Sequence, residues 1–327
     1  MVCPCSPICI GPVMAVVGVV LNWLRGPRAI TLKGKHVLIT GGSSGIGEAV
    51  AALCAAQGAK VTLLARKMPE LQAARSRLQS ASTTTESVEA VSADVTKAED
   101  MVAAVAKAEA AQGEVDLLFC CAGVAHPMKF EDTSMSDFED VFRVNTFGVA
   151  NSVKAAYRSL TRRPGGRVVV VASQAAQAGV FGYTAYSASK FALVGFAQAL
   201  QMEVRPKGVA VTVAYPPDTD TPQLQWENAR KPAETKLISD VSSFFPASQV
   251  AADIVRAARH GRFTAATGLD GFMLAKVTCG MSPQSWPLMG IVEVLLMPIF
   301  RVVALVYLRM WSYQIAKYQA SQKQHDK

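Results

Sequence analysis

Short apolar runs alternate with Ala-rich, helix-compatible stretches along most of the chain. Residues 35–40 (KHVLIT) are followed by glycines, and residues 48–57 read as a helix. Residues 60–65 (KVTLLA) read as a second strand, 69–78 as a second helix and 88–92 as a third strand. Residues 115–119, 167–171 and 209–214 give a fourth, fifth and sixth strand, with a long helix over 186–203. Strands that are apolar throughout, separated by helices, predict a parallel sheet covered on both faces. The expected fold is therefore α/β: a doubly wound, Rossmann-like parallel sheet, which binds its ligand beyond the carboxyl ends of its strands. Residues 264–287 carry no such pattern and read as an irregular connection.

Both ends of the chain break the alternation. Residues 1–24 contain no charge, and their apolar part, 8–24, is followed by Arg25, Arg28, Lys33 and Lys35. At a rise of about 1.5 Å per residue such a helix would be roughly 26 Å long, enough for a thin bilayer. No basic residue precedes the run and no small-residue cleavage site follows it, so it reads as an uncleaved anchor rather than a signal peptide. The basic flank puts the main domain on the cytosolic side. Residues 286–307 are apolar again, interrupted by Glu293, Pro298 and Arg301. A charge near the bilayer centre costs about 2.5–3.5 kcal/mol, so a clean span, a re-entrant hairpin, an interfacial helix and a packed helix pair all fit. Residues 317–327 read as a polar, frayed tail. The expected division is an anchor over 1–28, a catalytic domain over 29–270 and an apolar membrane-associated region with a polar tail over 271–327.

Composition agrees with membrane contact. Hydrophobic residues make up 50% of the 327 and charged residues only 18%, which is apolar for a soluble enzyme. The formal net charge of +8 suits nucleic acid, an anionic membrane surface or a phosphorylated cofactor. No compact Lys/Arg run with interleaved aromatics is present, so nucleic acid is set aside. Cys3, Cys5 and Cys9 crowd the N-terminus, while Cys54, Cys120, Cys121 and Cys279 lie in apolar contexts. An odd count without paired spacing argues against a disulfide framework or a zinc site and for thiols in a reducing compartment, with acylation of the first three left open.

The chemistry gathers at predicted strand ends. After the first strand, TGGSSGIG places Gly41, Gly45 and Gly47 so that the chain turns tightly and its backbone approaches a pyrophosphate. Ser43, Ser44 and Ile46 complete the turn, and a helix N-terminus then faces the negative charge. At the end of the second strand the position that would be acidic in an NAD site is neutral, and Arg66 and Lys67 follow. Two cations there suit a 2′-phosphate, so the expected cofactor is NADPH/NADP+. Asp94 follows the third strand, where it either accepts from an adenine amino group or caps the next helix. Cys121-Ala122-Gly123 ends the fourth strand with small residues that let the chain pass close to the cofactor.

Tyr186 and Lys190 are four apart and share a helix face. Ser173 ends the fifth strand, thirteen residues before Tyr186. A tyrosine with its ordinary pKa of about 10 exchanges protons poorly at neutral pH. A neighbouring ammonium favours the phenolate, and bringing the pKa near 7 would take roughly 4 kcal/mol, supplied by the lysine together with the cofactor's charge.

TGGSSGIG, CAG, Asn145 in VNTFG, Ser173 and YSASK together resemble the short-chain dehydrogenase/reductase family over residues 32–265. The resemblance implies hydride transfer from the nicotinamide to a carbonyl carbon. Ser173 would orient the carbonyl, Tyr186 would protonate it and Lys190 would hold the ribose and tune Tyr186. Asn145 would support the lysine through a water-linked relay. It also implies that Thr221 lies near the nicotinamide amide and that homo-oligomers pair through the helix carrying Tyr186. Two departures stand out: Cys121 replaces the usual Asn, and Pro217, with no N–H to donate, replaces the glycine after the sixth strand.

Within that family, AYPPDTDTP, KPAETKLIS, GLDGFML and TCGMSP resemble the 3-ketodihydrosphingosine (3-dehydrosphinganine) reductases, as do the apolar ends. This implies a long-chain ketosphingoid base as substrate, reduced at its C3 ketone, and a place in the endoplasmic-reticulum membrane facing the cytosol. Residues 223–245 would cover the substrate, with Trp226, Leu237, Phe244 and Phe245 against the tail and Asp218, Asp220 or Glu227 meeting the ammonium. The rival readings are a reductase of another membrane-borne carbonyl, such as a steroid or retinoid, and a non-catalytic binding protein on the same scaffold.

Overall fold

The computed structural model describes residues 29–81, 87–162, 164–239, 244–284 and 286–325. The anchor expected over 1–28, with Cys3, Cys5 and Cys9, lies outside the described residues.

Seven parallel strands form one sheet: β1 (His36–Thr40), β2 (Lys60–Ala65), β3 (Val88–Ser92), β4 (Leu117–Cys120), β5 (Arg167–Val171), β6 (Ala210–Tyr215) and a short strand over Thr264–Ala266. The order is β3-β2-β1-β4-β5-β6 with the short strand last. Alternate residues of each strand bury in opposite directions. Leu38, Leu64, Leu118 and Val170 pack beneath the helices over Ala98–Gln112, Gly148–Arg162 and Thr184–Val204. Val37, Ile39, Leu63, Phe119 and Val169 pack beneath α1 (Gly45–Ala56), α2 (Met68–Ala81) and the helix over Ala247–Arg259. Two cores explain why the strands read as unbroken apolar runs rather than as an alternation. The chain order reverses between β1 and β4, and such a switch point opens a crevice at the strand ends.

The region after residue 264 differs from the irregular connection expected there. Thr264–Ala266 pairs in parallel with β6, Val213 opposite Thr264, and Gly268–Val277 is a helix. Three residues are too few to show a period, and the helix is apolar on two sides because it packs between a cavity and the last helix. The boundary expected at 270 falls inside it.

The C-terminal region is one helix, Pro287–His325, so the tail is helical through residue 325 rather than frayed from 317. Its residues 288–322 are long and apolar enough to cross a membrane, the most apolar 18-residue window within them having a mean hydropathy of 2.3. Among the four arrangements open from sequence, a hairpin and a helix pair are not what residues 287–325 form. The helix is tied to the domain along its length. Glu293 accepts from Lys276 Nζ and Gln284 Nε2, each at 2.8 Å. Phe300 meets Phe272 edge to face at 6.2 Å, and Gln319 Nε2 reaches Glu234 Oε1 at 3.3 Å. The acid that interrupts the apolar run is thus matched by a cation on its neighbour. Ile291, Val294, Leu295, Ile299, Val302, Leu305 and Val306 are exposed. Their spacing of three and four gives one outward apolar face, consistent with membrane association.

Candidate active site

The turn after β1 is closed in a way that only glycine allows. Gly41 has φ +68°, and a Cβ there would lie 2.7 Å from the backbone nitrogen of Ala122. Gly45, at φ +57°, is approached by the Thr221 side chain, and a Cβ at Gly47 would run into the Gly41 carbonyl oxygen. The turn therefore presents bare backbone, and α1 begins at Gly45 behind Ser44, whose side chain makes no cap hydrogen bond. Free N–H groups at a helix N-terminus suit a pyrophosphate.

A cavity of about 750 Å³ runs from this turn along the carboxyl ends of the strands. Gly41, Ser43, Ser44, Gly45, Ile46, Gly47, Arg66, Lys67, Asp94, Ser173, Tyr186, Lys190 and Thr221 all line it. Strand-end motifs that lie far apart in the chain are thus brought together along one wall. Beyond β2, Lys67 Nζ is held by Glu70 at 2.9 Å, whereas Arg66 has no ion-pair partner among the described residues. Asp94 does not cap the next helix, which starts behind Lys97; its Oδ1 accepts from Thr96 N at 3.0 Å and Thr96 Oγ1 at 2.8 Å. Burial tends to raise its pKa, but those hydrogen bonds and the Arg66 charge outweigh this and lower it. Thr221 caps a short helix over Pro222–Asn228, accepting from Leu224 N at 3.2 Å.

Ser173 follows β5 and begins a 3-10 turn, its Oγ accepting from Ala175 N at 3.1 Å. Tyr186 and Lys190 sit one turn apart near the start of the helix Thr184–Val204, with Lys190 Nζ 5.6 Å from the Tyr186 ring centre. The ammonium is buried and donates to Val171 O at 2.9 Å; burial lowers its pKa to about 8. The lowering expected for the tyrosine drew on Lys190 together with the cofactor's charge, and in the protein alone the balance runs the other way. Burial in the cavity wall pushes its pKa up, the Glu227 charge adds to this, and a hydrogen bond with Ser173 works against it. Lowering it would require a positive charge nearer the phenol than the protein alone supplies. In the protein as it stands Tyr186 keeps its proton, which is the form a proton donor to a ketone needs.

Asn145 is wholly buried in a π-helical turn over Arg143–Phe147, the kind of local widening that recurs at functional sites. Its Nδ2 donates to Val124 O at 2.9 Å and Ser189 Oγ at 3.0 Å, and its Oδ1 accepts from Val124 N at 2.8 Å. Ser189 Oγ in turn donates to Tyr186 O at 2.7 Å. Asn145 thus staples the chain after β4 to the helix carrying Tyr186, and its side chain makes no direct bond to Lys190. Cys121, where the family has Asn, also lines the cavity, and burial raises its thiol to about 12.

The outer half of the cavity corrects the residues expected against a tail. Leu224, Ile238, Met273, Leu274 and Val277 line it, together with Phe300, Val303, Ala304, Tyr307, Leu308 and Trp311 of the C-terminal helix. Trp226, Leu237, Phe244 and Phe245 do not. Trp226 lies about 200° around its short helix from Leu224 and stacks under Arg230 at 4.1 Å. Phe244 is exposed, and Phe245 closes against Gly268. Of the three candidate acids, Asp220 is off the cavity beside Gln225, Asp218 is paired with Lys231 at 3.5 Å, and Glu227 is buried in the wall. Tyr183 was not singled out from sequence, although it precedes Tyr186 by three and shares its helix face. Its Oη donates to Glu227 Oε2 at 2.6 Å.

The residues present fit a dinucleotide: a cradle closed to any Cβ, a helix N-terminus and a buried ammonium beside a phenol. Comparison with known proteins agrees. A family model described as short chain dehydrogenase matches residues 35–232. The chain is 46% identical over 287 residues to a Bos taurus protein named 3-ketodihydrosphingosine reductase, covering 87% of this chain and 86% of the relative. It is 45% identical to a Danio rerio 3-dehydrosphinganine reductase with the same coverage. Identity is 38% over 310 residues to 3-dehydrosphinganine reductase TSC10B of Arabidopsis thaliana, covering 93% and 92%. Among solved structures, levodione reductase superposes with a TM-score of 0.64 at 27% identity, over 70% of this chain and 91% of that one. The chain belongs to the short-chain dehydrogenase family and is an oxidoreductase built to use a nicotinamide cofactor.

Proposed function

We propose that the protein reduces the C3 ketone of 3-ketodihydrosphingosine to the alcohol at the expense of NADPH. The carrying observation is that one cavity reaches from the Gly-rich turn past Tyr186 to the apolar face of the C-terminal helix. The names of relatives alignable over most of their length point to the same substrate. A long alkyl chain gains about 0.8 kcal/mol per buried CH₂, and the apolar outer half of the cavity is where that gain would be made.

The nicotinamide, when bound, supplies a hydride to the carbonyl carbon. Ser173 Oγ holds the carbonyl oxygen, and Tyr186 Oη gives that oxygen its proton, which completes a two-electron reduction. Lys190 would hold the ribose and place a positive charge near the phenol, and Asn145 keeps the helix that carries both in register with the chain after β4. Gly41, Ser43, Ser44, Gly45, Ile46 and Gly47 would cradle the pyrophosphate, with Thr221 beside them and Asp94 shaping the adenine end. Arg66 would take the 2′-phosphate, Lys67 being partly engaged by Glu70.

Two expected outcomes test these assignments. Purified protein in lipid should oxidise NADPH when given 3-ketodihydrosphingosine and leave steroid ketones and retinal nearly untouched; turnover of a steroid or retinoid alone would replace the reading. Arg66→Glu should raise KM for NADPH by about 10- to 100-fold, the scale of a lost charge-assisted contact, with KM for NADH nearly unchanged. An equal change for both cofactors would remove Arg66 from the 2′-phosphate site.

The location we propose is the endoplasmic-reticulum membrane with the catalytic domain, residues 29–270, in the cytosol. The outward apolar face of the C-terminal helix and the basic residues following 1–24 support it. Pairing of copies along the helix carrying Tyr186 is supported by exposed Phe147, Phe191 and Met202 on and beside it.

A further inference from the structure

We propose that Glu227, held by Tyr183, is the subsite that recognises the substrate's ammonium group and so selects an amino ketone over an amine-free one. The inference rests on the reductase reading above.

Glu227 is buried, yet it lines the catalytic cavity. Tyr183 Oη donates to its Oε2 at 2.6 Å and Gln223 Nε2 to its Oε1 at 2.9 Å. These neutral donors fix the carboxylate and leave each oxygen a lone pair. Among the described residues no lysine or arginine pairs with it. Of the two cations nearest in sequence, Arg230 donates to Trp226 O at 3.1 Å and lies over the Trp226 ring, and Lys231 is engaged by Asp218 at 3.5 Å and Ser239 at 3.3 Å. A buried carboxylate without a cation is costly unless something positive completes it. Its charge is felt at the reacting phenol, where it is the second cause of the raised Tyr186 pKa, and at Lys190. The Tyr183 and Tyr186 rings are 5.5 Å apart. Glu227 is therefore one side chain removed from the atom that meets the carbonyl oxygen.

The chemistry of the substrate fits that offset. In a sphingoid ketone the amino group is on the carbon next to the carbonyl, so a carbonyl held by Ser173 and Tyr186 carries its ammonium within a few ångströms. A second observation points the same way. Gln177, also buried in the cavity wall, has its Nε2 committed to Thr278 Oγ1 at 3.2 Å, while its Oε1 has no partner. A fixed acceptor without a partner, on a residue of the same wall that carries a carboxylate without a cation, describes a site for a ligand head that donates several hydrogen bonds, as an amino alcohol does.

The test compares 3-ketodihydrosphingosine with the same ketone bearing hydrogen in place of the amino group. The unmodified enzyme is expected to prefer the amino ketone by at least about tenfold in kcat/KM, the scale of a buried charged contact. Glu227→Gln retains a carbonyl to accept from Tyr183 but loses the charge. It is expected to lower kcat/KM for the amino ketone about 30-fold more than for the amine-free ketone, since any effect of the lost charge on the Tyr186 phenol is common to both. Equal losses on both ketones would make Glu227 a structural tie and overturn the inference. Should the variant fail to fold, judged by NADPH fluorescence, the unmodified enzyme still decides, because an absence of preference there overturns the inference while the reductase reading stands. No turnover of either ketone removes that reading and the inference with it.

Discussion

Tyr186→Phe should reduce turnover of 3-ketodihydrosphingosine by about 10³-fold, within the range of 10² to 10⁴ typical of a lost general acid. NADPH affinity should change by no more than about twofold, since the ring and its packing against Tyr183 remain. The separation of the two effects follows from the site. The phenol's burial and the Glu227 charge keep it protonated, so its contribution is the proton, and phenylalanine removes only that. NADPH oxidation measured with ketone, beside fluorescence titration of NADPH alone, reads the two quantities independently. Equal turnover by the variant would transfer the proton donor to another group.

The second large effect belongs to Gly47. A Cβ at this position would be driven into the Gly41 carbonyl oxygen, and Gly41 cannot retreat because it is itself packed on the backbone of Ala122 and held at positive φ. Gly47→Ala should therefore destabilise the fold by about 1–3 kcal/mol, as overpacking does, and weaken NADPH binding by about tenfold or more as the cradle is displaced. Gly195, on the helix carrying Tyr186, has open space within 4 Å of where a Cβ would stand and no unusual φ. Gly195→Ala should be neutral or stabilising by up to about 1 kcal/mol. Denaturant melts and NADPH titration of the two variants side by side check both; equal behaviour would show that the Gly-rich turn is more plastic than its packing implies.

The catalytic groups were legible because the fold places them by local rules. A ligand site beyond parallel strand ends needs small residues after β1 and β4, a polar group after β5 and two side chains four apart on the following helix, and TGGSSGIG, CAG, Ser173 and YSASK supply these in order. Asp94 shows the limit of that logic. Spacing offered its carboxylate an adenine contact or a helix cap, and it did not show the turn to Thr96 N and Oγ1 that the fold gives it instead of a cap. Trp226 shows another: aromatic character suggested a tail contact, but the register of a seven-residue helix turned it outward toward Arg230.

The strand pattern, the Gly-rich turn, the Tyr186–Lys190 pair and the cations after β2 were determined by sequence alone, because each depends on spacing within a few residues or on the chemistry of one strand end. The tertiary structure decided what distant segments do to one another. It made a seventh strand of three residues, placed the C-terminal helix along the cavity instead of apart from it, and matched Glu293 with Lys276 across two helices. It also set the pKa of Tyr186 in the protein without its cofactor, which is raised, since a pKa responds to burial and to charges brought from elsewhere in the chain, here Glu227, some forty residues away. Spacing fixes which residues share a face; the low dielectric that face enters, and the charges that meet it there, exist only once the chain has folded.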